Sequence, residues 1–560
     1  MEALFTDEGK RLDGIPWNDY PRPQMRRADW LCLNGSWVFS VGELRAEIEV
    51  PFCPESLLSG LAWTMDYGGE MTYRRAFTLP EGWAGKRVLL HFGAVSRIAV
   101  VRLNGAAVAL HENSYLPFSA EITEHLRPGE NELEVLAIND LSHRHPWGKQ
   151  RARRGGMWYT PVSGIWQTVW LEAVPETYIR ALSIRTGADW ADITAEGITT
   201  GTVLLEGREY PMENGHVRIP VARPHLWSPE DPCLYSFAVV SGEDRVESYF
   251  ALRTLSVEAV DGIPRLCLNG RPYFFHGLLD QGYWSDGLYT PAAPECYERD
   301  ILAMKALGFN TLRKHIKIEP ERFYYDCDRL GMIVFQDMVN CGDVRYWRDT
   351  VLPTLGFQKR PDHRMNRDRE TRENFLEAME ETVIRLGNHP SICLWTIFNE
   401  GWGQFRADDA CRRLRALDDS RFIDSTSGWF HQRESDVDSL HIYFRRLHLG
   451  KNKDRPQLLS EFGGYVYKIP EHSFNLKKTY GYRQCPDRET FVRDLRALYE
   501  EQVLPLIRQG LCGAIYTQVS DVEDETNGLL TFDRKAGKIT PEEFAELSAR
   551  LRESIRPAEN

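Results

Sequence analysis

No uninterrupted apolar run in the sequence approaches the ~20 residues that cross a bilayer as a helix, so a helical membrane protein is excluded. Residues 1–17 show neither a basic leader nor the apolar stretch of a secretory signal. There is no excess of positive charge. The 68 Lys and Arg stand against 81 Asp and Glu, and a net charge of −13 repels phosphate backbones. The 11 cysteines are scattered, odd in number and without a Cys-x-x-Cys pair, the pattern of reduced core thiols rather than a disulfide framework. Repeats and low-complexity tracts are missing too, which excludes solenoids and propellers. These absences lead us to expect a cytoplasmic protein with no nucleic-acid or membrane partner, and leave a homo-oligomer open.

What is present fits a large globular chain. At about 150 residues per domain, 560 residues make three or four domains. With 42% hydrophobic and 27% charged residues, wholesale disorder is excluded. Aromatics reach 11%, with 16 Trp. Such rings fill large cores and also stack on sugars; composition leaves both open.

The first third reads as strands. Val88–Phe92 leads into Ile98–Leu103, followed by Asn104-Gly105, a tight-turn signal. Leu133, Val135 and Ala137 alternate with Glu132 and Glu134, as in a half-buried strand. Residues 1–174 form a first β-sandwich on this reading, and 175–257 a smaller one of about 100 residues or fewer. After Asn269-Gly270 the rhythm becomes strand then helix. Strand-like runs occur at Phe274–Leu279, Phe309–Leu312, Met332–Phe335, Ser391–Phe398, Phe422–Ser425, Ser439–Tyr443, Gln457–Ser460 and Gly513–Gln518. Helices are predicted at Glu295–Leu307 and Pro320–Leu330, the second with Gly331 just past its end. Eight such units over 258–560 fit a (β/α)₈ barrel, although the sixth and seventh strands have short connections with little room for helix.

Reacting groups in such barrels stand at the C-terminal strand ends. The fourth predicted strand ends in Asn399-Glu400-Gly401 and the seventh in Ser460-Glu461-Phe462-Gly463. Two carboxylates facing one cleft are what glycosidic cleavage needs, one to protonate the leaving oxygen and one to attack or to activate water. Against this, some of 81 acidic residues will end strands by chance.

These strand ends resemble the catalytic strand ends of glycoside hydrolase family 2, the β-galactosidase, β-glucuronidase and β-mannosidase family. The likeness extends along the chain: Tyr73-Arg74-Arg75-Ala76-Phe77, Arg102-Leu103-Asn104-Gly105, Pro117-Phe118 and Ser163-Gly164-Ile165-Trp166-Gln167 resemble its N-terminal domain. Leu226-Trp227-Ser228-Pro229 and Leu234-Tyr235 resemble its middle domain; Gly308–Arg313 and Asn388–Ile392 resemble its barrel. The resemblance implies a jelly-roll sandwich, an immunoglobulin-like sandwich and a TIM barrel. It implies Glu400 as general acid/base, Glu461 as nucleophile, Asn399 as partner of the sugar 2-hydroxyl, and Tyr443 and Arg313 beside the nucleophile. Asp337, Trp429 and Gln518 stand at or just past predicted strand ends and suit sugar contact and structure equally.

Departures narrow the glycone. Where the family has Arg-x-Ser-His-Tyr-Pro, this chain has Arg313-Lys314-His315-Ile316-Lys317, with His315 one place off. Where glucuronidases carry Asn-x-Lys, it has Glu525-Thr526-Asn527-Gly528, with no lysine and an acid that would repel a uronate. Arg345 and Lys359 are possible substitutes. The expectation is a retaining exo-β-glycosidase, most suited to β-galactosides, with β-glucuronidase, β-galacturonidase, β-mannosidase and a non-catalytic carbohydrate-binding protein as alternatives. No cofactor is required; magnesium is conceivable, but no recognisable ligand set supports it, and His143-Arg144-His145 reads as a solvated loop rather than a zinc site. The first sandwich is expected to brace the barrel.

Overall fold

The computed structural model of the chain describes residues 3–63 and 67–555. Its first third packs a six-stranded antiparallel sheet on a four-stranded one. Along Glu130–Ile138, Asn131, Leu133, Val135 and Ala137 turn inward and alternate with more exposed neighbours, as the period-2 pattern predicts. Leu133, Val135 and Ala137 join Trp37, Phe39, Tyr73, Leu90 and Leu171 between the sheets. Asn104 and Gly105 both adopt positive φ, 52° and 87°, which is the twist a two-residue hairpin needs between Ile98–Leu103 and Ala106–Glu112.

Seven antiparallel strands between Ala181 and Phe250 make the next unit. A single residue pair, Glu213 with His216, links its three-stranded part to its four-stranded part. The sheet folds over at that point, so Ile184, Ile193 and Ile219 share one core with Val203, Phe237 and Val246. This is an immunoglobulin-like sandwich. A short antiparallel hairpin, Leu255–Val260 with Ile263–Leu268, then leads into the barrel. Leu266 and Leu268 of that hairpin cluster with Phe275, Ile333, Leu394 and Ile515 near the barrel's floor.

The barrel has eight parallel strands: β1 (Phe275–Asp280), β2 (Thr311–Lys314), β3 (Ile333–Asp337), β4 (Ile392–Asn399), β5 (Phe422–Ser427), β6 (Asp438–Ile442), β7 (Gln457–Phe462) and β8 (Leu511–Tyr516). Each matches a run read from the sequence. Their order is β5-β4-β3-β2-β1-β8-β7-β6, with no hydrogen-bonded ladder between β5 and β6. Side chains bridge that seam instead: Ser439 donates to Asp424 at 3.0 Å, and Ser427 Oγ lies 3.0 Å from His441 Nε2. Helices Glu295–Ala306 and Glu321–Leu330 follow β1 and β2. Gly331 ends the second in the left-handed conformation, φ 73°. The connections from β5 to β6 and from β6 to β7 contain no helix, in keeping with their short lengths. All eleven cysteines are free thiols, ten of them buried. No helix among the described residues is long and apolar enough to cross a membrane.

Candidate active site

Every strand of the barrel delivers its C-terminal end to one mouth, so the chemistry depends on which side chains stand last. Asn399 closes β4, and Glu400 follows it in a left-handed conformation, φ 52°. That geometry is uncommon for a residue with a Cβ and marks a backbone held by its surroundings. Two bonds hold it: the Glu400 N–H donates to Ser427 O at 2.9 Å, and Trp429 Nε1 donates to the Glu400 carbonyl at 2.9 Å. Gly401 must be glycine, because a Cβ there would sit 2.3 Å from the Phe430 ring. Gly463 has the same need after β7, where a Cβ would meet Tyr516 at 2.3 Å. The glycines beside the two carboxylates therefore let the chain turn away from the strand ends.

Glu461 stands within β7, and one oxygen of Glu400, one of Glu461 and a ring nitrogen of His441 all lie within 4.8 Å of one another. Arg313, from β2, organises the floor. Its guanidinium donates to Asp337 Oδ1 at 2.9 Å, Glu461 Oε1 at 3.0 Å, Ser460 O at 3.0 Å and Asn399 Oδ1 at 2.8 Å. Because Asn399 accepts through its oxygen, its amide N–H₂ is left to donate elsewhere. Tyr443 donates its hydroxyl to Glu461 Oε2, and its ring stacks on Tyr482 at 3.7 Å. His441 reaches across the seam: Nδ1 is 2.8 Å from Glu400 and 3.6 Å from Glu461, while Nε2 meets Ser427.

These contacts drive the two carboxyl groups apart. Burial pushes the Glu400 carboxyl above its ordinary range; His441 draws it back, and the charge on Glu461 adds to the rise. Burial would raise Glu461 as well, but His441, Arg313 and His315 together with the Tyr443 hydrogen bond hold it well below the carboxylate range. Burial drives His315 itself down to about 4, so at neutral pH its ring is uncharged and Arg313 and Tyr443 carry more of that effect. Burial also holds the Tyr443 phenol well above its usual range, which keeps it a donor. One group favours its proton and the other its charge, the division acid/base chemistry requires.

Of the residues expected at the site, Glu400, Glu461, Asn399, Tyr443 and Arg313 come together. Asp337 binds Arg313 and His315 and has no contact with either glutamate; it fixes the orientation of Arg313. Trp429 is buried, with its N–H spent on the Glu400 and Asp349 carbonyls. Gln518 donates to Asn527 at 2.8 Å and makes no hydrogen bond to either glutamate. Arg345 and Lys359 are exposed on the loop after β3. His143 pairs with Asp343 at 2.8 Å and stacks on Trp147 while Arg144 stays exposed, so that loop touches the barrel and remains partly solvated. The sequence reading missed His441. It lies two residues before Tyr443, but its place beside Glu400 depends on the unpaired seam between β5 and β6, which neither strand's sequence marks.

Among the described residues, Glu400, His441 and Glu461 are also the group with the right spacing for a metal. An ion at that point would fill the space between the two carboxylates, where a reacting sugar carbon must come. The donor set therefore fits proton and nucleophile chemistry better than a resident cation.

Strand-end carboxylates paired across a TIM-barrel mouth, behind two β-sandwiches, define a glycosidase-type architecture. Residues 260–537 match "Glycosyl hydrolases family 2, TIM barrel domain" and residues 46–202 match "Glycosyl hydrolase 2 galactose-binding domain-like". The chain belongs to glycosyl hydrolase family 2. It is 26% identical over 404 residues to a β-galactosidase of Thermoanaerobacter pseudethanolicus, covering 66% of this chain and 50% of that protein. It is 27% identical over 384 residues to a β-glucuronidase of Canis lupus familiaris, covering 59% and 54%. The chain thus matches about half the length of these curated relatives. Among solved structures, a β-D-glucuronidase of Dictyoglomus thermophilum superposes with a TM-score of 0.76 at 18% identity, covering 95% of this chain and 98% of that one. A β-galacturonidase of Eisenbergiella tayi bound to galacturonate gives 0.70 at 19%, covering 95% and 99%. At those identities the likeness is one of fold.

Proposed function

We propose that this chain is a retaining exo-β-glycosidase that removes a terminal, galacto-configured sugar by double displacement. The observation that carries this reading is the close Glu400–Glu461 pair, oxygens within 4.8 Å, with carboxyl groups shifted in opposite directions. Retaining enzymes hold their carboxyls about 5–5.5 Å apart, whereas inverting ones need about 6.5–9.5 Å to admit a water. In the first step a Glu461 oxygen bonds the anomeric carbon as the C–O bond to the leaving group breaks, and Glu400 gives that oxygen its proton. In the second, Glu400 takes a proton from water, whose oxygen displaces Glu461. Asn399, turned by Arg313, offers its N–H₂ to the 2-hydroxyl, and Arg313 and Tyr443 keep the departing Glu461 a stable anion.

The galacto configuration is supported by the β-galactosidases among the relatives and the β-galacturonidases among similar structures. β-Glucuronidases stand in both groups as well, so a panel of aryl β-glycosides differing only in the glycone tests this part. Proton NMR of the first product tests the stereochemistry. The β-anomer should appear first and mutarotate later; an initial α-anomer would overturn retention, and no turnover across the panel would leave a carbohydrate-binding protein.

A further inference from the structure

The barrel mouth is not built by the barrel alone. Residues 142–160 of the first domain lie across it. On one side Trp147 donates through its ring to Gly342 O at 3.1 Å and through its backbone to Asn340 O at 3.2 Å, both just after β3. Gly148 packs so closely that a Cβ would lie 2.5 Å from the Tyr115 hydroxyl and 3.3 Å from Ile316 O, which follows β2. On the other side Tyr159 donates its hydroxyl to Glu525, and the Thr160 N–H donates to Glu523 at 2.9 Å, both after β8.

Lys149 stands between these anchors. It is only 8% exposed, its ammonium lies 5.3 Å from the Tyr159 ring centroid, and no carboxylate among the described residues forms an ion pair with it. Of the other cations near the mouth, Arg313 pairs with Asp337 and Glu461 and Arg154 with Glu523, while Arg151 lies against the Trp158 ring at 3.7 Å without a carboxylate partner among the described residues. The Lys149 charge acts on both Glu400 and His315, so it faces the reacting end of the cleft. An ammonium this enclosed and without a direct ion pair is stabilised when a ligand supplies one. Glu525, which from sequence would repel an acidic sugar, has one oxygen held by Tyr159 and the other by Asn527.

We propose that Lys149, carried into the cleft by the first domain, receives a carboxylate on the glycone, making the preferred substrate a β-uronide. This rests on the glycosidase reading above and adds the substrate class. The neutral glycone expected from the sequence rests on the missing Asn-x-Lys lysine after β8, whereas Lys149 belongs to the first domain.

The test compares kcat/KM for 4-nitrophenyl β-galacturonide and β-galactoside, with the glucuronide and glucoside in parallel, in the parent and in Lys149→Met and Lys149→Arg. The parent should favour the uronide of one configuration at least tenfold. Lys149→Met should lower the uronide-to-hexoside ratio by about 10- to 100-fold, the weight of one charge-assisted bond, and Lys149→Arg should restore part of it. The ratio is insensitive to misfolded material, which lowers both substrates alike. A parent that favours the neutral hexoside, or a Lys149→Met ratio within threefold of the parent, overturns the assignment while leaving the glycosidase reading intact. A parent that turns over none of the four overturns both.

Discussion

Two isosteric substitutions should move stability in opposite directions. Glu461 accepts charge-assisted bonds from Arg313 at 3.0 Å and from Tyr443. In Glu461→Gln the amide oxygen keeps one of them and the other is lost, at about 1.5–3 kcal/mol for a bond to a charged group. A barrel of roughly 300 residues unfolds with about 2.1 cal/mol/K per residue, so a loss of about 1.5–3 kcal/mol lowers its melting temperature by roughly 2–5 °C. Glu400 differs, because burial favours its protonated form. Glu400→Gln imitates that form, keeps an acceptor for His441 at 2.8 Å, and should melt at or slightly above the parent at pH 7. The pH dependence follows. A depressed carboxyl stabilises above its ordinary value of 4.5 and loses that contribution as pH falls toward its folded value, so the deficit of Glu461→Gln narrows in acid. A raised carboxyl costs stability as pH climbs past 4.5 toward its folded value, so any gain of Glu400→Gln appears on that rise. Differential scanning fluorimetry of the three proteins from pH 3 to pH 8 reads both trends. If Glu461→Gln melted at or above the parent at pH 7, or Glu400→Gln were the less stable of the two, the assignment of charge and proton would be wrong.

Two further outcomes depend on the same geometry. Glu400→Ala should lose about 10²–10⁴-fold on alkyl glycosides, and far less on dinitrophenyl glycosides, whose leaving groups need no proton; azide should restore deglycosylation, and equal losses without rescue would remove Glu400 from the acid role. Since His441 draws Glu400 down, His441→Phe should move the basic limb of the kcat/KM profile to higher pH; a limb that stayed or moved to lower pH would refute it.

Much of this was legible because strand ends in a barrel are set by local sequence. Apolar runs ending in Asn399-Glu400-Gly401 and Ser460-Glu461 announce themselves, and Arg313 and Tyr443 stand at comparable ends. What spacing could not supply is what lies across from them. Asp337 looked like a sugar contact because it ends β3, yet it is consumed by Arg313 and His315. Trp429, whose strand-end position suited sugar contact and structure equally, spends its N–H on the Glu400 carbonyl. His441 gained its place because β5 and β6 do not pair, which leaves room for its ring between Ser427 and Glu400. Absence of a ladder is a property of two strands together and leaves no mark on either one. Lys149 is the extreme case, more than 160 residues upstream of the strands it faces, in a segment whose composition is that of a loop.

That distance bears on what the first sandwich does. Under the assignment of Lys149, one segment does the physical work of both bracing and recognition. The contacts that fix residues 142–160 are made to groups standing after β2, β3 and β8. Those are the turns that bound the cleft, so strengthening the brace and shaping the pocket are the same act. The stack of Trp147 on Trp158 at 5.6 Å and of Trp158 on Trp402 at 5.3 Å extends this to the acid itself, because Trp402 lies two residues past Glu400. A shift of the sandwich by an ångström would therefore disturb the loop that holds Glu400, and a misplacement of that size can cost about 10²-fold in rate. The barrel supplies the carboxylates, the seam supplies the histidine between them, and under the assignment of Lys149 the sandwich supplies the charge that selects the sugar. Specificity on this scaffold can then change by substitution in the first domain while the catalytic strand ends stay as they are.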